Sequence, residues 1–591
     1  MKFVSIGLHL RFLPLWGLTL LSFASCGAPE EPLAAGKSVL LITLDTTRAD
    51  ILSCLGGPEG LTPNLDALAA EGVLYTAART VAPLTMPAHA SIMTGLYPPR
   101  HGVRDNNVRR LPLAAETLAE MASANGYQTA AFVSSVAVDS AFGFGQGFTL
   151  YDEPSRQMNQ WDGHEGARNG IQVIKRALRW LDEDLDPEQP FFSWVHIWDP
   201  HAPYAPIQPF LQKSGGDPYG AEVFAADFAL GKLFDDLKVR GLWDDLCVIV
   251  VADHGEGRGD LGEPTHGTYL WDSTIRVPLI VRNPGGARVG MASSESVTVA
   301  DVAPTALAAM GLRVPSGLDG LSLLDGEVDP ERGVYFESYV GWTYYGWSPL
   351  IGWANSDGVL LQSSAPRFVP ANVTDPADSR AAGRAIEDQD AAFVNAAQRS
   401  IARVLGAPRL RPDDESAEIG LLTSLQGLGY AATGVVGEDL PAPFSEEAMG
   451  RPCPMDRVEE HVATLRAMDL VGAGRTEEGL IALREVLALN PNNAKALGRA
   501  ADMLSAEGRY GEARPLLERL LAVGPPSPGV HYQLGVIAFD EERLAIARDH
   551  WRAALMIDPG QIQSRESLAQ WHELHGDEEE AQRLRAGGEL R

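Results

Sequence analysis

Cysteine is scarce in this chain: Cys26, Cys54, Cys247 and Cys453 are the four among 591 residues. They are too few and too scattered for a disulfide framework, and none has the spacing of a structural zinc site. Positive charge is also short, with 48 Lys and Arg against 78 Asp and Glu, a formal net charge of -30. That balance excludes binding to nucleic acid or an anionic membrane by bulk electrostatics. The amino-terminal apolar run from Phe12 to Ala24 falls short of the ~20 residues needed to span a bilayer. Preceded by Lys2 and Arg11, it reads as a secretory signal. What the chain does have is length beyond one ordinary domain and 45% hydrophobic residues, enough for a sizeable core.

Three apolar, strand-like runs each end in an acidic residue. Ser38 to Leu44 stops at Asp45, Phe191 to Trp198 stops at Asp199, and Cys247 to Ala252 stops at Asp253, followed at once by His254. Continuous runs of this kind read as buried strands of a parallel sheet, which carries ligands just beyond its strand carboxyl ends. The three aspartates are therefore expected to converge. Two histidines follow in similar settings, His201 in Asp199-Pro-His-Ala-Pro-Tyr and His266 in Thr265-His-Gly. A single Asp after a strand is usually a loop cap. Carboxylate and neutral imidazole together are the ligand types that zinc selects, whereas magnesium or calcium takes oxygen almost alone.

Thr85-Met86-Pro87-Ala88-His89 places a hydroxyl at the start of a helix-like run, where free backbone N–H groups and the helix dipole favour an anion. Alone, this pattern reads as an N-terminal threonine with Pro in the first turn. In the company of the aspartates and histidines it reads as a housed nucleophile.

The ordered motifs LLITLDTTRAD, LTMPAHASIMTGLYPPRHGVRDN, WVHIWDPHAPY, VADHGEG and THGTYLWDSTIRVPLIV cover roughly residues 37 to 345 and resemble the alkaline phosphatase superfamily, in its sulfatase-like and nucleotide pyrophosphatase/phosphodiesterase-like branches. The resemblance implies an α/β fold, an alkaline-phosphatase-like mixed, mainly parallel sheet between helices. In sulfatases the nucleophile motif begins with a Cys or Ser that is oxidised to formylglycine. Here Thr85, which cannot be so oxidised, stands in its place, and His89 replaces the motif's arginine. The sulfatase Gly-Lys-Trp-His segment is missing too, since Gly126 to Ala130 carries neither its lysine nor its histidine.

The phosphodiesterase pattern fits better. It maps the nucleophile onto Thr85 and a phosphate-orienting asparagine onto Asn106. It implies two divalent metal ions, expected to be Zn2+, one held by Asp45, Asp253, His254 and the Thr85 alkoxide, the other by Asp199, His266 and His201. His201 departs from that pattern, having Asp-x-His for Asp-x-x-x-His, and in sulfatase-like proteins the corresponding histidine contacts substrate, so both roles stay open. His196 is a spare candidate for this role, although on a strand it reads first as a core histidine. The expected function is extracytoplasmic hydrolysis of phosphodiester, phosphomonoester or phosphonate bonds, with transfer to another alcohol sharing the site. The alternatives are a sulfuric ester hydrolase and an inactive catalytic fold serving as a binding scaffold. An acidic chain must attract its anionic phosphoester or sulfoester substrate through metals rather than a basic surface.

Around this core the chain divides into a signal segment at 1–26, a tether at 27–37, a catalytic domain at 38–430, a linker at 431–455 and a repeat domain at 456–591. Phe23-Ala24-Ser25-Cys26-Gly27 resembles a bacterial lipoprotein box, which implies a lipid anchor to the cell envelope; Phe23 is unusual at its first position, and plain secretion with a free or later-removed Cys26 is the alternative. From about residue 333 a smaller sheet is expected, with strands in Val334 to Glu337 and in the aromatic stretch Trp342 to Trp353. A helix is expected over Ala391 to Val404. In the tail, Pro491, Pro525 and Pro559 recur at a 34-residue period, as do Gly474, Gly508 and Gly576, with Glu542 in the missing slot. This period resembles tetratricopeptide repeats, an all-α solenoid that either offers a peptide groove or acts as a spacer. A solenoid buries its faces against itself, so its removal is expected to expose little of the catalytic core.

Overall fold

The computed structural model describes residues 36–106, 110–154, 167–286, 288–324, 326–370, 383–411, 440–524 and 527–588. The signal segment, the lipobox-like Cys26 and most of the tether lie outside them, as does the linker up to residue 439. No helix among the described residues is long and apolar enough to cross a membrane.

The β-branched runs form the centre of the larger sheet. Its strands are β1 (Val39–Leu44), β2 (Val73–Tyr75), β3 (Gln128–Phe132), β4 (Leu150–Asp152), β5 (Phe191–Ile197), β6 (Cys247–Ala252), β7 (Leu279–Arg282) and β8 (Met291–Ser293). They lie in the order β4-β3-β5-β1-β6-β7-β2-β8. Pairing is parallel from β4 through β6 and antiparallel on both sides of β7. Every residue of β1, β5 and β6 is buried, as expected for strands covered by helices on both faces. Three helices matter for the site: α1 (Thr85–Thr94), α2 (Gly170–Glu183) and α3 (Pro218–Val239).

A second, antiparallel sheet follows with β9 (Val334–Ser338), β10 (Leu350–Asn355), β11 (Gly358–Gln362), β12 (Arg367–Pro370) and β13 (Arg384–Ala385). The aromatic stretch expected as strand is strand only from Leu350. Its first part, Gly341–Tyr345, is a π-helical turn ended by Gly346 at a φ of 70°. That turn folds Tyr344, Tyr345 and Trp347 inward against Tyr269 and Trp271. The helix expected over Ala391 to Val404 spans Ala391–Leu405.

The tail is a stack of helix pairs: α4 (Val458–Gly472), α5 (Thr476–Leu489), α6 (Ala494–Ala506), α7 (Tyr510–Val523), α8 (Pro528–Asp540), α9 (Leu544–Ile557), α10 (Ile562–Leu574) and α11 (Glu578–Arg585). Gly474, Gly508 and Gly576 turn between the two helices of a pair with φ of 72°, 69° and 77°, and Glu542 adopts 57° in the equivalent turn. A side chain at such a φ is strained, whereas glycine is not. Glu542→Gly is expected to stabilise the array by roughly 0.5–1 kcal/mol, read from the midpoint of urea unfolding of the full chain. An unchanged or lower midpoint would mean that Glu542 makes compensating contacts.

The array does not stand apart. The segment expected as a free linker lies, from Leu440 on, against the catalytic domain: Tyr339 Oη donates to Pro441 O (2.9 Å) and Ser348 N to Pro452 O (2.8 Å). Cys453 and Met455 enter one buried cluster with Tyr269, Trp271, Tyr345 and Trp347, and Val458 of α4 packs on it. The expectation that the solenoid buries only its own faces is therefore corrected. The aromatic surface left by the π-helical turn is covered by the first repeat.

Candidate active site

Register places the first two aspartates. Leu44 of β1 pairs with Ile197 of β5 and with Ala252 of β6, so Asp45, Trp198 and Asp253 leave the sheet at one level. Immediately after Asp45 the backbone turns through Thr46, at a left-handed φ of 47°, which aims Thr46 N at Asp253 Oδ1 (3.2 Å). His254 N donates to the same oxygen (2.7 Å). Asp253 Oδ2 and both carboxylate oxygens of Asp45 are buried with no hydrogen-bond partner.

His254 completes the cluster. Its Nδ1 donates to Gly255 O (2.9 Å), which leaves Nε2 as the acceptor. That nitrogen lies 3.5 Å from Asp253 Oδ2, 3.8 Å from Asp45 Oδ1 and 3.4 Å from Thr85 Oγ1. Ligand atoms of Asp45, Asp253 and His254 all lie within 4.8 Å of one another.

Burial raises the Asp45 carboxyl well above the ordinary range. Asp253 is raised likewise, by burial first and by the Asp45 charge second. His254 is held well below the usual imidazole range by burial, with His266 adding to it. Two carboxylates that resist ionisation beside a neutral imidazole make a site short of a cation. Orphaned oxygens and an imidazole fixed by a backbone carbonyl fit a divalent metal.

Thr85 opens α1, all ten residues of which are buried. His89, one turn on, donates from Nδ1 to Thr85 O (2.8 Å), and its Nε2 meets Thr43 Oγ1 (3.1 Å). It thus clamps the first turn of the helix. Asn106 Oδ1 accepts from Met86 N (2.8 Å), while Asn106 Nδ2 is buried without a partner. An orphan donor beside a hydroxyl at a helix N-terminus suits an oxyanion.

The third aspartate goes elsewhere. Leu44 is level with Ile197, so the residue opposite Asp45 is Trp198 and Asp199 falls one step later. A one-residue step turns a side chain to the other face. Asp199 Oδ2 accepts from Gly170 N (2.6 Å) at the start of α2, and burial raises its carboxyl to about 6. His201 donates from Nδ1 to Ala202 O (2.6 Å) and stacks on Trp198, and His266 donates to Pro83 O (3.0 Å). The His201 and His266 rings lie edge to face at 5.4 Å, and His266 lies 4.2 Å from His254. Among the described residues, Asp45, Asp253 and His254 are the one group gathered like a metal site, and Asp199, His201 and His266 are not so gathered.

Two other side chains belong to this centre. His196 pairs with Thr43 and so shares the face of Thr43 and Asp45, its unpartnered Nε2 being 3.5 Å from Asp45 Oδ2. Strand parity carried that signal. Glu256, in VADHGEG, is fully buried, accepts from Tyr204 Oη (3.3 Å), and is raised to about 8 by burial.

Residues 37–312 match the sulfatase family model, and residues 470–537 match the tetratricopeptide repeat model. An ulvan-active sulfatase of Formosa agariphila is 27% identical over 351 residues, which are 51% of this chain and 67% of that protein. Human N-acetylgalactosamine-6-sulfatase is 26% identical over 355 residues, covering 50% and 66%. Among solved structures, the phosphonate monoester hydrolase of Agrobacterium radiobacter superposes with a TM-score of 0.54 at 22% identity, over 62% of this chain and 95% of that one. A protein solved with its substrate D-glucosamine-2-N,6-O-disulfate superposes with a TM-score of 0.52 at 18% identity, over 63% and 97%. These two likenesses are of fold.

Proposed function

We propose, for a chain whose residues 37–312 form a sulfatase-family hydrolase domain of the alkaline phosphatase-like superfamily, that this domain cleaves phosphoester or phosphonate bonds in preference to sulfate esters. The observation that carries the reading is Thr85, a residue that cannot become formylglycine, with its Oγ1 3.4 Å from His254 Nε2 at the rim of the Asp45–Asp253–His254 cluster. Asp45, Asp253 and His254 would hold a divalent metal, which would supply positive charge to lower the pKa of the Thr85 hydroxyl and offset charge on the ester. Zinc suits that ligand set.

The chain's own residues do the rest. Thr85 Oγ1 attacks phosphorus and the ester P–O bond breaks, releasing the alcohol. Water then attacks the phosphorylated Thr85, freeing the hydroxyl and the phosphate. Asn106 Nδ2 donates to a non-bridging oxygen as charge builds there, and the dipole of α1 favours the same charge. His89 keeps Thr85 in register by holding its carbonyl. His201 and His266 stand beside the cluster and contact the substrate's anionic group, His266 as a neutral imidazole. The protein works outside the cytoplasm, exported by its amino-terminal segment and anchored at Cys26.

A second reading, sulfate-ester hydrolysis, is favoured by the names of the relatives, which are sulfatases. A panel of aryl phosphate monoester, diester, phosphonate and sulfate separates the two. Turnover of at least one phosphoester or phosphonate should exceed that of aryl sulfate. Thr85→Ala should lower it by about 10³-fold or more with metal content retained, since only the nucleophile is removed. Faster turnover of the sulfate than of every phosphorus ester would favour the second reading.

A further inference from the structure

Lysine is rare in this chain, and after Lys238 there is one, Lys495. It is the second residue of α6, in the repeat array. Its helix is fixed at the start by Asn493, whose Oδ1 accepts from Ala496 N (3.0 Å) and whose Nδ2 reaches Thr464 Oγ1 (3.0 Å) and Glu460 Oε1 (3.3 Å). Those groups dock on the catalytic domain. Trp347 Nε1 donates to Glu460 Oε2 (3.2 Å), Tyr345 Oη meets His461 Nδ1 (3.0 Å), and Asn490 Nδ2 donates to Tyr345 O (2.8 Å).

Held this way, Lys495 points back at the catalytic domain. Its Nζ lies 5.1 Å from the Tyr344 ring centre and 5.8 Å from that of Tyr345. Its charge favours the ionised form of Asp105, the residue before Asn106, and disfavours protonation of His266. Asp105 Oδ2 is buried without a hydrogen-bond partner. Among the described residues, the ammonium itself makes no hydrogen bond or ion pair, although it is half-buried.

Other cations around the site are already paired. Arg48 binds Asp50, Asp260 and Glu256 O, Arg104 binds Glu337 through both ends, and Arg168 binds Asp152 and Val133 O. The catalytic domain's Gly126 to Ala130 segment supplies no lysine either. The one charge that favours this partly desolvated ammonium is Asp105, with no direct ion pair between them, so an anion in contact with Nζ would offset the rest of its desolvation.

We infer that the repeat array completes the active site: Lys495, steadied over Tyr344 and Tyr345, binds an anionic oxygen of the substrate held between Asn106 and His266. The chemical class it reads is the negatively charged ester head group, phosphate, phosphonate or sulfate. This rests on the proposed placement of substrate at Thr85 but not on which ester is turned over. The array is then part of the enzyme's binding wall and not only a surface for other proteins.

The test uses the full chain and the variants Lys495→Met and Lys495→Arg. KM and kcat are measured on whichever aryl ester the protein turns over, and inorganic phosphate and sulfate binding is measured by calorimetry, which needs no turnover. Lys495→Met is expected to raise KM and weaken binding of the tighter anion by about tenfold or more, with kcat changed less and with metal content and melting temperature unchanged. Lys495→Arg should restore most of the affinity. Unchanged KM and anion affinity in Lys495→Met would overturn the inference. So would a loss that accompanies a lower melting temperature and is not recovered by Lys495→Arg, because Lys495 would then be an interface residue alone. Failure of the proposed chemistry would appear differently, as absent phosphoester turnover in the unaltered protein with its anion binding still dependent on Lys495.

Discussion

Asp253→Asn is expected to have opposite effects on stability with and without metal. In the unaltered protein stripped of metal, Asp45 and Asp253 share a buried site with no cation, and both carboxyls are held above their ordinary range. A carboxyl whose folded pKa is raised contributes its stability below the unfolded value and loses it as pH rises through the folded one. The stripped protein should therefore weaken as pH is raised from about 4, the ordinary carboxyl value, toward neutrality. The amide can keep the two bonds that Oδ1 accepts from Thr46 N and His254 N, while its nitrogen replaces the orphaned Oδ2. At neutral pH the stripped variant should melt several degrees above the stripped parent. With metal added the order reverses: the parent gains about 4 kcal/mol at a thousandfold excess over Kd, and the variant gains little and is inactive. Equal melting curves for the two proteins in chelator would show that the pair carries no such repulsion.

Cutting the chain at residue 434 should do more damage than its repeat period suggests. The cut removes Cys453, Met455 and Val458 from a cluster that also holds Tyr269, Trp271, Tyr345 and Trp347. Each large apolar side chain newly exposed there costs about 1.5–3 kcal/mol, so the loss is a large fraction of a domain's net stability. The shortened protein is expected to aggregate or to melt more than ten degrees lower, on the order of 2–4 °C per kcal/mol. A chain ending after Glu507 keeps α4 to α6 with Lys495 and the docking contacts of Cys453, Met455, Val458, Glu460, His461 and Asn490, and should retain metal and turnover. Normal melting and turnover in the shorter chain would restore the view of two separable units.

The sequence disclosed the sheet far better than the docking. Val39–Leu44, Phe191–Ile197 and Cys247–Ala252 are unbroken apolar runs, and a strand buried on both faces needs such a run. Asp45 and Asp253 followed because each lies directly after its strand. Asp199 did not, since the run feeding it is one residue longer in register, and a step of one residue changes the face. His196 was readable as the in-register partner of Thr43, but only once the pairing of β1 with β5 is known. Lys495 carried no local signal, because it sits on a helix of ordinary repeat pattern and its meaning comes from a contact spanning 150 residues of chain, from Tyr345 to Lys495. The aromatic stretch hid the same contact: Tyr344, Tyr345 and Trp347 suit a strand by composition, and a π-helical turn turns them into a docking surface.

The burial of α1 on every side limits how this chain can diverge. With ten of ten residues packed, a change at any position of α1 presses on the core, and under the proposed reading this holds Thr85 and its chemistry in place. Variation in what the protein accepts has to accumulate elsewhere. The face of α6 that carries Lys495 belongs to a run of repeats, and the repeats beyond it, which make none of the docking contacts described above, are the ones free to be exchanged. Under the proposed reading, a lineage carrying this architecture explores new substrates through exposed positions of its array while inheriting its reaction centre intact.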